Sequence, residues 1–313
     1  MSIAPLRNLA CAVLFLIPSL VLSEAAHAVV ILDSTWEEEG GTEDDPAAGF
    51  TAALDLAAEP QFQSVIALST DGESWGEASA TWIGNDDEHA YLLSAGHIFD
   101  LPAKVDDYVA RAPDGHVVKI DKLWVHPLWN GDVNNRAGYD FTILRLEEPL
   151  EDTGPQPTIY TGTSELGHLI TFVGYGTRGI GSVGEDEKYD EGSDKAAADG
   201  IVDIADDPID PVPPEDEDAG GTMTIALPKE DGSVEVPTGG ATEPPDRLAG
   251  LLGSGDSGGS AWMKVGGVWE IVGVNSNGTG EAQYGDTSTF GRVTFMQDWI
   301  EGIFPGAQFG DEE

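Results

Sequence analysis

Short β-forming runs, broken every few residues by turn signals, constrain the fold of this chain more than any other feature. They begin at about Phe62. Ser64-Val65-Ile66-Ala67-Leu68, Ala80-Thr81-Trp82-Ile83-Gly84, His116-Val117-Val118-Lys119-Ile120 and Phe141-Thr142-Ile143-Leu144-Arg145-Leu146 are the clearest. Asn85-Asp86-Asp87 and Pro113-Asp114-Gly115 stand between such runs and read as turns. Many short strands with regular punctuation predict an all-β sandwich or barrel. Near the end, the apolar spacing of Phe295-Met296-Gln297-Asp298-Trp299-Ile300 predicts a short C-terminal helix. The chain has no internal repeat and no cofactor fingerprint: Gly174-Tyr175-Gly176 lacks the following glycine and helix of a dinucleotide loop.

The amino-terminal text is different. Arg7 precedes an apolar stretch from Leu9 to Leu22, and Ala26-His27-Ala28 supplies small residues around one bulky position. Residues 1–28 therefore read as a secretory signal peptide cleaved after Ala28. Pro18 and the shortness of the stretch argue against a membrane anchor. The only cysteine, Cys11, would leave with this leader. The mature chain is then expected outside the cytoplasm (extracellular or periplasmic) with no disulfide, and its stability must come from core size or metal. Residues 29–60, with Glu37-Glu38-Glu39-Gly40-Gly41, are expected to form an acidic, poorly ordered arm or propeptide-like segment. The main domain is expected over 61–305, with an acidic, Pro-bearing surface insertion at 182–220 and an acidic tail at 306–313.

Fourteen Lys and Arg against 57 Asp and Glu give a formal net charge of -43 on 313 residues. Such a surface repels nucleic acid and anionic membranes, and it suits solubility or a salty medium. Bound Ca²⁺ at the insertion is the sharper reading of the same charge. The insertion lacks the Asp-x-Asp-x-Asp-Gly spacing that would bring oxygens together on one ion.

Chemistry is concentrated in Gly255-Asp256-Ser257-Gly258-Gly259. A serine hydroxyl is a poor nucleophile until a base, an orienting carboxylate and donors for the developing oxyanion surround it. Flanking glycines allow backbone conformations in which the N–H groups of Gly255 and Ser257 point at one spot. Upstream, Leu93-Ser94-Ala95-Gly96-His97 places a histidine at a strand end, and Tyr139-Asp140-Phe141-Thr142-Ile143-Leu144 opens a strand with an aspartate. Alone, His97 would read as a surface or core-edge residue and Asp140 as a turn aspartate.

Together, these three motifs in the order His, Asp, Ser resemble the trypsin/chymotrypsin-like serine proteases, in particular secreted, disulfide-free bacterial members. The resemblance implies two six-stranded antiparallel β-barrels packed together, with the short helix at the C-terminus and the triad between the barrels. It implies His97 as general base, Asp140 as its orienting carboxylate and Ser257 as nucleophile, with Gly255 and Ser257 as oxyanion donors. Peptide bonds of protein or peptide substrates would be hydrolysed through an acyl-enzyme by a monomer needing no metal or organic cofactor. Asp140 and Ser257 are 117 residues apart, a longer gap than usual for the family, and the acidic insertion accounts for the surplus.

Two departures matter. In the family, specificity is set partly by the residue six before the serine, here Leu251, and by a following strand, here with Ser276 and Gly278, with a third wall near Ser288. A leucine floor should disfavour a charged side chain before the scissile bond. Secondly, typical members free an Ile/Val-rich N-terminus that pairs with the aspartate before the nucleophile, here Asp256. Leader removal would expose Val29-Val30-Ile31, which could fill that role; internal pairing of Asp256 is the alternative. The competing functional readings are a catalytically silent relative acting as a binding module and a Ca²⁺-binding or salt-adapted surface protein.

Overall fold

The computed structural model describes residues 29–131, 137–189, 194–209 and 220–311. The expected leader, residues 1–28, lies outside them, as do parts of the acidic insertion. Among the described residues no helix is long and apolar enough to cross a membrane.

The first described segment is folded, contrary to the expectation for residues 29–60. Strand β1 (Val30–Ile31) is followed by helices α1 (Asp33–Glu38) and α2 (Thr51–Ala57). Val29 to Leu32 are each at most 1% exposed. Burying such side chains is worth about 1.5–3 kcal/mol each, which outweighs the polar composition around them. Ala53 and Ala57, one turn apart, give α2 its buried face. Trp36 and Phe50 both pack edge-on against Tyr189.

A closed antiparallel barrel follows, built from β2 (Val65–Ser69), β3 (Ala78–Asn85), β4 (Ala90–Ser94), β5 (Val109–Arg111), β6 (Val117–Val125) and β7 (Thr142–Leu146) in the order β2-β3-β4-β7-β6-β5. Its strands alternate with a period of two. Leu92, Leu144 and Leu146 point into the barrel with Ile66, Leu68, Val118 and Ile120. Tyr91, Leu93 and Ile143 point the other way, into a larger core shared with the second half of the chain. β2, β3, β4 and β7 are buried on both faces over almost their whole length, so they read as nearly continuous apolar text, whereas β6 begins with alternating exposed and buried residues.

The second half contributes β8 (Thr158–Ile159), β9 (Leu169–Gly174), β10 (Gly179–Ile180), β11 (Gly184–Glu185), β12 (Ala196–Ile201), β13 (Ile204–Ala205), β14 (Thr222–Ala226), β15 (Gly250–Leu251), β16 (Ser260–Val265), β17 (Val268–Gly278) and β18 (Thr287–Arg292). Helix α3 (Gln297–Ile303) and strand β19 (Gln308–Phe309) complete the chain. A curled sheet runs β12-β9-β16-β17-β18-β14-β13, with β8 and β19 alongside β17. Its two outermost strands are consecutive in the chain and separated only by Val202 and Asp203. The fold is thus mostly β, with one closed six-stranded barrel, a curled half-barrel sheet and the expected short C-terminal helix.

The boundaries of the insertion and tail also differ from expectation. Residues 196–201, inside the supposed surface insertion, form a buried strand hydrogen-bonded along β9. In the tail, β19 pairs with β8.

Candidate active site

The candidate site lies where the barrel meets the curled sheet. β4 ends at Ser94, and the following turn carries His97. Asp140 lies two residues before the start of β7 and is 1% exposed. The His97 backbone N–H donates to Asp140 Oδ1 at 2.7 Å, and His97 Nδ1 lies 2.7 Å from Asp140 Oδ2. Ser276 Oγ, on β17, donates to the same Oδ2 at 2.5 Å. A carboxylate only accepts, so Nδ1 carries the proton and Nε2 presents its lone pair. Nε2 lies 2.8 Å from Ser257 Oγ. Burial works against charge on Asp140, but the His97 ring and the hydrogen bonds from His97 and Ser276 outweigh it and hold the carboxyl below its ordinary value.

The serine turn is fixed from both halves. Ser79, on β3, donates its N–H to the Ser257 carbonyl at 2.8 Å and its hydroxyl to the Gly255 carbonyl at 3.0 Å. On the other side, Asn275 of β17 donates its side-chain amide to the carbonyls of Asp256 at 3.0 Å and Val173 at 3.1 Å. Gly255 has φ +95° and Gly258 φ +84°, where other residues are strained. A Cβ at Gly258 would also strike the Ser79 carbonyl and the Ser94 hydroxyl. Among the described residues, the N–H groups of Gly255 and Ser257 donate to no protein acceptor. The arrangement combines a hydroxyl, a base in the right tautomer, a buried orienting carboxylate and two free donors beside the hydroxyl. That set can support acyl transfer.

Beneath the turn, Asp256 is fully buried. It accepts N–H bonds from Gly253 at 2.8 Å, Gly176 at 2.9 Å and Val29 at 3.2 Å. Burial dominates, and it pushes the carboxyl up to about 7 against the lowering effect of those donors. Val29 has φ +62°, an unfavourable value for a β-branched residue.

A cavity of about 240 Å³ adjoins Ser257. Ser276 and Gly278 line it, as expected from the sequence. Leu251 and Ser288 do not. Leu251 is fully buried because its strand pairs with Val30, and the next residue, Leu252, takes the lining position. Ser288, also fully buried, accepts the Leu252 N–H at 2.9 Å. The leucine floor expected from Leu251 is therefore corrected. The sequence reading missed Glu185, which faces the cavity and accepts the Ser254 N–H at 2.5 Å and its hydroxyl at 2.8 Å. It sits in acidic text that carries no local signal for a site.

Among the described residues no cluster of three or more His, Cys, Asp or Glu side chains could hold a metal ion. The Ca²⁺ reading concerned the insertion 182–220, of which residues 190–193 and 210–219 lie outside the described set. No known family model and no curated protein matches the chain.

Proposed function

We propose that this chain is a secreted serine endopeptidase of the trypsin-like type, with the barrel and the curled sheet as its two β-barrel halves. The continuous hydrogen-bonded line Asp140–His97–Ser257, at 2.7 and 2.8 Å and ending beside two unpartnered N–H groups, carries the reading. His97 Nε2 takes the Ser257 proton as Oγ attacks the scissile carbonyl. The carbonyl oxygen, gaining charge, is met by the N–H groups of Gly255 and Ser257. His97 then protonates the leaving amine, the C–N bond breaks, and a water activated by the same ring hydrolyses the ester. Asp140 steadies the imidazolium at each stage without accepting its proton.

Leader removal before Val29 supplies the activating step in this reading. It would convert the Val29 amide into an α-ammonium 3.2 Å from the buried Asp256 carboxylate. It would also remove the preceding carbonyl, whose clash makes a positive φ costly at valine. Protein or peptide substrates, action as a monomer and independence of metal or organic cofactors belong to the same proposal.

A fluorophosphonate probe tests it. Labelling of leader-free protein that disappears in Ser257→Ala supports the enzyme; folded, leader-free protein that never labels contradicts it and favours a silent binding module.

A further inference from the structure

One of the two N–H groups assigned to the oxyanion belongs to the peptide unit joining Ser254 to Gly255. A peptide is planar and trans, so its C=O and N–H point in opposite directions. Thr177 donates its N–H to the Ser254 carbonyl at 2.7 Å, which turns the Gly255 N–H away from Thr177 and leaves it free. Gly255 itself offers little resistance to the opposite arrangement. It sits at φ +95°, and a glycine enters many other conformations as readily. The residue that permits the turn therefore also permits this peptide to rotate and present the Ser254 carbonyl where the N–H should be.

Glu185 grips the other side of Ser254. One carboxylate oxygen accepts the Ser254 N–H at 2.5 Å and the other accepts its hydroxyl at 2.8 Å. Two charge-assisted bonds to one residue fix its backbone and its side chain together. Ser254 is exposed, so without Glu185 both donors would turn to water. The backbone places Glu185. It lies on β11, where Glu185 faces Gly179 of β10, and its N–H donates to the Glu281 carbonyl at 2.9 Å. β10 pairs in turn with β1. Gly184 has φ +88°, and a Cβ there would strike the Glu281 carbonyl, so the hairpin approaches that segment as closely as a backbone can.

We propose that Glu185 is a positioning residue for the oxyanion donors. By holding Ser254 it keeps the Ser254–Gly255 peptide turned so that the Gly255 N–H, and not the Ser254 carbonyl, faces the developing charge. The inference rests on the acyl-transfer reading for the use of that N–H, whereas the hold on the peptide stands on the geometry alone. It is separate from any contact between Glu185 and a substrate side chain, because it acts on every acyl group, including one with no side chain to enter the cavity.

Two measurements on leader-free Glu185→Ala test it against the parent. Residue-resolved amide exchange reads the peptide's orientation without turnover, because the Thr177 N–H is protected while the Ser254 carbonyl accepts it. Exchange at Thr177 should rise at least about tenfold, while the amides of β16 exchange as in the parent. In stopped flow, acetylation of Ser257 by p-nitrophenyl acetate should slow by about tenfold or more, toward the roughly 10²–10³ that loss of a whole oxyanion donor costs. The fall should lie in the rate constant, with the ester concentration for half-saturation little changed. Glu185→Gln, which keeps the shape and one acceptor oxygen, should fall between parent and alanine variant in both measurements, and it carries the test should the alanine variant fold poorly. Thr177 exchange within about twofold of the parent overturns the proposal, whatever Ser257 does. Acetylation at the parental rate in a variant whose Thr177 has loosened also overturns it. A parent that is never acetylated contradicts the acyl-transfer reading instead, and exchange at Thr177 then still decides whether Glu185 holds the peptide.

Discussion

Blocking the amine of Val29 should change how the protein's stability depends on pH. In a chain that still carries Ala28, Asp256 is buried against three N–H donors and no cation, and its carboxyl rises from 3.8 to about 7. That displacement corresponds to about 4 kcal/mol between the two protonation states. An unfolded chain releases this proton near pH 4, whereas the folded one keeps it until about pH 7. The folded state therefore binds more protons across that window, and stability falls as pH rises from about 4 to 7. By pH 8 the loss should approach about 4 kcal/mol. A free α-ammonium at Val29 reverses the balance by favouring the carboxylate. Its own pKa is raised above the ordinary value of about 8, so this contribution is present below pH 8 and fades as pH climbs through the raised value. Urea unfolding of two proteins, one starting at Val29 and one extended by an acetylated Ala28, measured from pH 4 to 10, separates the cases. The extended form should lose stability steadily between pH 4 and 8, while the Val29 form should hold until alkaline pH. Coincident profiles would refute the pairing of Val29 with Asp256.

Ser276→Ala removes a hydrogen bond to the ionised Asp140 and should slow fluorophosphonate labelling of Ser257 by about tenfold or more; an unchanged rate would remove Ser276 from the orienting network. Glu165→Ala removes the buried bidentate partner of Arg292, which is 1% exposed and bound to Glu165 at 2.7 and 2.9 Å, and leaves the guanidinium only the exposed Asp207 carboxylate at 3.0 Å and the Asp206 carbonyl at 2.9 Å. Urea unfolding should register a loss of about 3–5 kcal/mol, and a loss below 1 kcal/mol would contradict the burial argument. Glu185→Gln should reduce any preference for lysine or arginine beside the scissile bond by up to about fivefold in kcat/KM, since the carboxylate is partly solvated. A peptide-library cleavage profile identical to the parent's would show that Glu185 does not meet substrate.

His97, Asp140 and Ser257, which the structure brings together, were legible because each carries its context locally. His97 follows a strand ending in small residues, Asp140 opens an alternating strand, and Ser257 sits among glycines whose φ values the turn requires. Strands β2, β3, β6 and β7 of the closed barrel were legible for a similar reason, since short β-forming runs between turn signals mark them without reference to distant text. What failed depended on partners far away. The contact of Val29 with Asp256, across 227 residues, was one of two alternatives open in the sequence, but the folding of residues 29–60 was missed because the Glu37-Glu38-Glu39 run outweighed the apolar Val29-Val30-Ile31 and the later anchors Trp36 and Phe50. Strand β12 hid in acidic text because Ala196-Ala197-Ala198 alternates too weakly to announce a strand. Leu251 was chosen by counting six residues back from Ser257, but a strand pairing with Val30 turns it into the core and leaves Leu252 at the cavity.

The proposed chemistry requires Ser257, activated by His97 and Asp140, to form a covalent acyl intermediate. Rapid mixing of the Val29-terminated protein with p-nitrophenyl acetate, followed by acid quenching and peptide mass mapping, tests it most directly. A burst of about one nitrophenol per chain and an acetyl group on the peptide containing Ser257 are expected, both absent from Ser257→Ala. A burst that survives in Ser257→Ala, or folded protein that gives neither burst nor acetylated serine, would contradict it.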